Sequence, residues 1–199
     1  MKPTTQVQLN AENIVAFLGD IFTRRGGEAY LGESVTMAEH MLQAAFLAEQ
    51  RGESETIIIA ALLHDIGHFT GEFGAFSMND TRDRYHEQAG ARILEHFFPR
   101  TIAGCVGMHV AAKRYLCAVD PDYFGKLSPA SVHSLRLQGG QMNAAEVAEF
   151  AQSPHLHDAL AVRRLDDAAK VAGLHTPKFD HYAPLIQSMV SAHCANAGA

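Results

Sequence analysis

The chain has few cysteines, three in 199 residues, at positions 105, 117 and 194. An odd number without a C-x-x-C spacing gives no disulfide framework and no thiolate zinc or redox motif, so Cys105, Cys117 and Cys194 are expected to be reduced and structural. Positive charge is also scarce. A formal net charge of -6 argues against a broad basic surface able to displace counterions from nucleic acid or anionic lipid, and leaves room only for a local basic pocket. No apolar run approaches the length of a membrane span, and Met1 to Asn10 is polar where a signal peptide would be apolar. A cytoplasmic protein with neither a nucleic-acid nor a membrane partner is expected.

What remains is ordinary globular material. With 47% apolar and 19% charged residues the chain is too apolar for disorder, and its length suits one substantial core. Apolar positions recur at three- and four-residue steps from Asn10 to Phe22, Val35 to Ala48, Ile57 to Leu63, Gln88 to Phe97, Ile102 to Leu116, Ala144 to Phe150, Leu156 to Val171 and Tyr182 to Val190. That spacing predicts an all-α fold over a single domain, 1–199, with flexible ends at 1–9 and 191–199. Ser34 and Ser54 are placed as N-caps, and Gly26-Gly27, Gly52 and Gly139-Gly140 mark turns. The stretch from Gly71 to Arg84 has no helical period and reads as a loop that could serve as a lid.

Histidine is plentiful, twelve residues, several of them in apolar helical segments. The strongest local signal is Leu63-His64-Asp65-Ile66-Gly67-His68, where a buried-looking helix ends in adjacent His and Asp. Burying both without compensation is costly, and a metal ion satisfies a nitrogen and an oxygen donor together. His40 lies on the preceding amphipathic segment, and a helical hairpin across Gly52 would bring it towards His64. Asp166 supplies a later acid, with Asp167 as the alternative.

This H…HD…D pattern resembles the HD-domain superfamily, an all-helical bundle best known for metal-dependent phosphohydrolases. Two further histidines, His86 and His109, stand where dinuclear members carry ligands for a second metal, and the resemblance makes Asp65 the bridging carboxylate. It therefore implies His40, His64, Asp65, His86, His109 and Asp166 as ligands. Four His and two Asp suit a pair of irons better than magnesium, which prefers oxygen and water.

A narrower resemblance covers nearly the whole chain, to the mixed-valent diiron oxygenases of phosphonate catabolism, the PhnZ-type enzymes. It rests on Tyr30-Leu31-Gly32-Glu33 ahead of His40, on His109-Val110-Ala111-Ala112-Lys113-Arg114, on Ser131 and Gln138-Gly139-Gly140, and on Arg163-Arg164-Leu165-Asp166-Asp167-Ala168-Ala169-Lys170. Tyr30 and Glu33 resemble the Tyr and Glu that cover the iron before substrate displaces them. With Asp166 as ligand, a continuous helix would put Arg163 and Lys170 on its face, so that two cations point into the metal pocket. Lys113 and Ser131 would join them in binding a phosphonate anion, with His68 as a further polar contact.

The resemblance implies a mixed-valent Fe(II)/Fe(III) pair, dioxygen as co-substrate, and scission of a carbon–phosphorus bond in a small organophosphonate. Two substrates follow from it: hydroxylated aminoethylphosphonate, giving glycine, and its N-trimethylated analogue, giving glycine betaine. A quaternary ammonium favours aromatic faces and diffuse negative charge. The loop residues Glu72, Phe73, Phe76, Asp80 and Tyr85 tilt the expectation to the trimethylated substrate. The competing readings are a metal-dependent phosphohydrolase of the same fold and a non-catalytic ligand-binding module.

Overall fold

The computed structural model describes residues 8–30, 32–70 and 81–197. The described residues form helices α1 (Ile14–Arg24), α2 (Met37–Gln50), α3 (Glu55–Leu63), α4 (Gly67–Thr70), α5 (His86–Leu94), α6 (Arg100–Val119), α7 (Pro129–Leu137), α8 (Ala144–Phe150), α9 (Leu156–Ala168) and α10 (Phe179–Ala197), all but α4 and α7 on segments with a helical apolar repeat. A short 3-10 turn, Phe124–Lys126, precedes α7. Among the described residues there is no strand, only an isolated bridge between Ala29 and Thr36, so the fold is all-α as the periodicity predicts.

Helix α3 sits at the centre because it is apolar all round: Ile57 through Leu63 are buried without a break. It packs against α2, α6, α9 and α10. Each fully buried Leu or Ile there contributes about 1.5–3 kcal/mol. The main apolar cluster runs from Ile14 and Leu18 of α1 through α3 and α6 to Tyr182, Ile186 and Val190 of α10. Whatever follows α3 is therefore delivered to the interior.

Local sequence explains most boundaries. Ser54 caps α3 by accepting from the Ile57 N–H at 3.3 Å, as predicted. The cap of α2 is a correction: Thr36, not Ser34, holds it. Thr36 Oγ1 accepts from the Glu39 N–H at 3.2 Å, and Glu39 Oε2 accepts from the Thr36 N–H at 2.7 Å. This reciprocal pair satisfies two free donors where Ser34 could satisfy neither. The turn from α2 to α3 uses Gly52 at a φ of 69°, a left-handed conformation that suits glycine. Helix α1 begins at Ile14 rather than Asn10, because Asn10 Oδ1 accepts from the N–H groups of Glu12 and Asn13 in a turn ahead of it. Helix α10 runs to Ala197, so residues 191–197 continue a helix where the sequence suggests a frayed tail. Helix α7 is not among the segments whose period predicts a helix; Ser128 caps it and Pro129 is its first residue.

Candidate metal centre

His64 and Asp65 leave the C-terminal end of central α3, and four other elements converge on them. Helix α2 contributes His40, α5 its first residue His86, α6 His109, and α9 Asp166; all six side chains are buried. The Asp65 carboxylate faces both ways. Its Oδ2 lies 3.6 Å from His40 Nε2 and 3.4 Å from His64 Nε2. Its Oδ1 lies 3.2 Å from His86 Nε2 and 3.5 Å from His109 Nε2. Asp166 closes the first group, with Oδ1 at 3.4 Å from His40 Nε2 and Oδ2 at 3.9 Å from His64 Nε2.

Hydrogen bonds to backbone fix which ring nitrogens are available. His40 Nδ1 meets Ala169 O at 2.9 Å, His64 Nδ1 meets Ala61 O at 2.7 Å, and His109 Nδ1 meets Val106 O at 2.7 Å. A carbonyl only accepts, so each Nδ1 carries a proton and each neutral ring presents a lone pair at Nε2. Yet Nε2 of His40 and His64 are 3.0 Å apart, and two lone pairs at that distance need a proton or a metal ion between them. Nε2 of His86 and His109 are 3.1 Å apart. Asp166 Oδ1 is buried with no hydrogen-bond partner, an oxygen that a metal ion would satisfy. The donor set of imidazole nitrogens and carboxylate oxygens fits a transition-metal ion, and the donor atoms of His40, His64 and Asp65 all lie within 4.8 Å of one another.

Without a metal, a proton must serve. Burial by itself lowers the pKa of His64, but the carboxylates of Asp65 and Asp166 override it and raise the ring to about 9. Burial opposes ionisation of Asp65 as well, and the neighbouring His64 and His109 hold it well below the usual carboxylate range. His109, pushed down to about 4 mainly by burial, is neutral at physiological pH and ready to act as a ligand. His86 lacks a carbonyl partner of the kind the other three have. Its Nδ1 is 3.7 Å from Oε2 of buried Glu87, an oxygen without a hydrogen-bond partner.

A cavity of about 500 Å³, part of it open to solvent, lies against these ligands. Tyr30, Glu33, His68, Lys113, Ser131 and Arg163, all singled out from the sequence, line it with Asp65, His86, His109 and Asp166. Tyr30 stacks on His40, ring centroids 4.0 Å apart and planes 15° from parallel. Glu33 Oε1 is buried without a hydrogen-bond partner. His68 stacks on His86 at 4.0 Å, its Nε2 is 3.8 Å from Asp65 Oδ1, and burial lowers its pKa to about 3. Lys113 Nζ donates to Ser134 Oγ at 2.8 Å.

The two cations of α9 depart from the helix-face expectation. Arg163 reaches the cavity, but its donors go to Asp166 Oδ2 at 2.6 Å, to Asp167, and to Tyr123 Oη at 2.9 Å. Asp167, the alternative ligand, is thus held by Arg163 and Tyr123. Helix α9 ends at Ala168, so Lys170 lies beyond it. Its side chain returns to donate to Ser131 Oγ at 3.0 Å and is absent from the cavity wall. Sequence reading missed Ser134 and Asp83, which line the cavity, although it quoted Gln138, which does too. The Ser128-Pro129 pair, an N-cap followed by proline at the first helical position, is the signal that would have found α7 and with it Ser134. Tyr85 is half-exposed in a left-handed conformation, its N–H donated to Asp83 Oδ1 at 3.1 Å, and it is outside the cavity wall. Glu72, Phe73, Phe76 and Asp80 fall outside the described residues.

An all-helical frame around a buried His/Asp metal centre is the class that fold and site define. Residues 37–117, from the first residue of α2 to near the end of α6, match the HD domain. The chain is 63% identical over 186 residues to the 1-hydroxy-2-(trimethylamino)ethylphosphonate dioxygenase (glycine-betaine-forming) of Leisingera caerulea, covering 94% of this chain and 95% of the relative. It is 47% identical over 163 residues to the hydroxymethylphosphonate dioxygenase of Gimesia maris, covering 81% of each. An uncharacterised protein of Acanthamoeba polyphaga mimivirus is 36% identical over 188 residues, 94% of this chain and 84% of that one. The chain belongs to the HD-domain family and, within it, to the group of these phosphonate dioxygenases. No described helix is long and apolar enough to cross a membrane.

Proposed function

We propose that the protein is a diiron oxygenase that cleaves the carbon–phosphorus bond of (R)-1-hydroxy-2-(trimethylammonio)ethylphosphonate with dioxygen, giving glycine betaine and phosphate. The observation that carries this reading is the two-sided Asp65 carboxylate, each oxygen facing its own histidine pair, at the floor of a cavity walled by Lys113, Ser131 and Arg163. His40, His64, Asp65 and Asp166 would hold one iron, and Asp65, His86 and His109 the other. Bound as a mixed-valent Fe(II)/Fe(III) pair, the irons supply the redox chemistry by which dioxygen is reduced and the hydroxylated carbon oxidised. The overall balance gives each product one more oxygen: the carbon becomes a carboxylate and the phosphonate becomes phosphate.

The side chains of this protein bind and orient the substrate. Lys113 gives the cavity an amine donor whose pKa burial lowers to about 7, so an anionic phosphonate beside it favours the charged form; Arg163 adds positive charge at the wall while its donors hold Asp166, Asp167 and Tyr123; Ser131 adds a hydroxyl, and Lys170 stands behind Ser131. Arg163 also fixes Asp166 through its bond to Oδ2, which leaves Oδ1 for the metal. Glu33, with an unpartnered buried oxygen, and the aromatic Tyr30 offer negative charge and a ring face to a quaternary ammonium. Both are read as covering the iron until substrate arrives. His68, neutral at physiological pH, gives the cavity an uncharged ring nitrogen.

The test is phosphate release from the hydroxylated trimethylammonio substrate by iron-loaded protein, with and without dioxygen. Oxygen-dependent release is expected, faster than with the aminoethyl analogue. Equal or inverted preference overturns the methylated assignment. Metal-dependent, oxygen-independent hydrolysis of a phosphate ester in its place overturns the oxygenase reading.

A further inference from the structure

Lys170 stands where a lysine would ordinarily be poorly held, past the end of α9 on a segment without regular structure. What holds it is α2. Gln43, 1% exposed, donates from Nε2 to Val171 O at 2.8 Å, and its Oε1 accepts from the Val171 N–H at 3.0 Å. One turn earlier on the same helix, His40 Nδ1 bonds Ala169 O at 2.9 Å. The backbone on either side of Lys170 is thus tied to successive turns of α2. Val171 is used for its peptide group, since 52% of the residue is exposed.

We propose that Gln43 is the positioning residue that sets Lys170 behind Ser131, where its charge reaches a phosphonate through the Ser131 hydroxyl, an inference that rests on the reading of Lys170 as an anion-binding residue. Held this way, Lys170 Nζ donates to Ser131 Oγ at 3.0 Å and lies 4.0 Å from Asp166 Oδ1 and 3.9 Å from Asp167 Oδ1. Ser131 forms part of the cavity wall. The same helix carries His40 towards the metal and Gln43 towards the lysine segment, three residues and so about 4.5 Å of helix rise apart. The span from metal centre to anion site is therefore fixed by one rigid element. A glutamine that merely satisfied buried backbone would stabilise the fold without any particular bearing on Lys170.

Gln43→Leu removes both hydrogen bonds at similar volume, and Gln43→Glu keeps only the acceptor for the Val171 N–H. In Gln43→Leu, KM for the hydroxylated trimethylammonio substrate and the dissociation constant of inorganic phosphate are expected to rise about tenfold or more, with iron content and kcat within about twofold. In a Lys170→Met background the same change is expected to shift both constants less than about twofold, because the two residues act as a unit. Unchanged constants in folded, iron-loaded Gln43→Leu overturn the proposal, as does an effect that adds fully to that of Lys170→Met. If Gln43→Leu fails to fold, Gln43→Glu is judged by the same two criteria. If the wild type releases no phosphate from the phosphonate, the proposed function fails, and phosphate binding by the iron-loaded variants still decides the role of Gln43.

Discussion

At His64 two carboxylates outweigh burial, and the balance has a measurable consequence. The metal-free ring is raised from an ordinary 6.5 to about 9, so it stays protonated up to that pH. A metal ion must displace this proton before taking the Nε2 lone pair. Apparent metal affinity is therefore expected to rise about tenfold per pH unit below about 9 and to level off above it. Metal titrations between pH 6.5 and 9.5 measure this, and an affinity independent of pH over that range would contradict the assignment of His64 as ligand. The residue scale is also where the sequence was most legible. His64 and Asp65 are adjacent and follow an unbroken apolar helix, and no solvated face offers them an easy alternative. Gln43 and Asp167 were illegible as supports because a buried glutamine and a second acid in a pair carry no pattern until their partners are known.

Helices α4 and α5 approach so closely at Gly67 that no side chain fits between them. A Cβ there would sit 1.8 Å from His86 O and 2.7 Å from Gly90 N, both backbone atoms. Gly67→Ala is expected to push α5 away from α4 and carry His86 off Asp65, with a cost of about 1–3 kcal/mol. On the two-iron reading proposed above, metal content should fall towards half, since His86 faces only one side of Asp65, and the melting temperature should fall with it. Metal analysis and thermal unfolding of the variant measure both, and full metal occupancy would show that His86 is dispensable. The elements themselves were mostly readable, because α2, α3, α6 and α9 each bury a repeating set of apolar positions. Helix α7 was not: it buries only Ala130, Ser131 and Leu135, and two of these are too small to set an apolar rhythm.

Over the whole molecule, side chains from α2, α5, α6 and α9 and from the end of α3 meet in one cluster, so occupancy of that cluster bears on global stability. An ion bound to the folded state at about 100 times its dissociation constant adds about 2.7 kcal/mol. For a chain of this size that is on the order of 5–10 °C in Tm. Chelation is expected to lower the melting temperature by about this much per ion, and Asp65→Ala, which removes the carboxylate shared by both sides, should abolish most of the effect. Thermal unfolding with and without chelator tests it, and an unchanged midpoint in the wild type would argue that the cluster holds no structural ion.

The sequence by itself determined the helical class and the His64-Asp65 heart of the centre, because apolar period and a His-Asp pair at the end of an apolar helix are local properties. It also carried the family resemblance, which implied the six donors that the structure brings together and most of the residues that line the cavity. Only the tertiary structure decided how the donors share Asp65, since that depends on α5 and α6 approaching one carboxylate oxygen while α2 and α9 approach the other. It likewise decided that Arg163 is occupied by Asp166, Asp167 and Tyr123, and that Lys170 is held from α2 rather than by its own helix. These are long-range contacts, set by how the helices pack, and no local pattern encodes them.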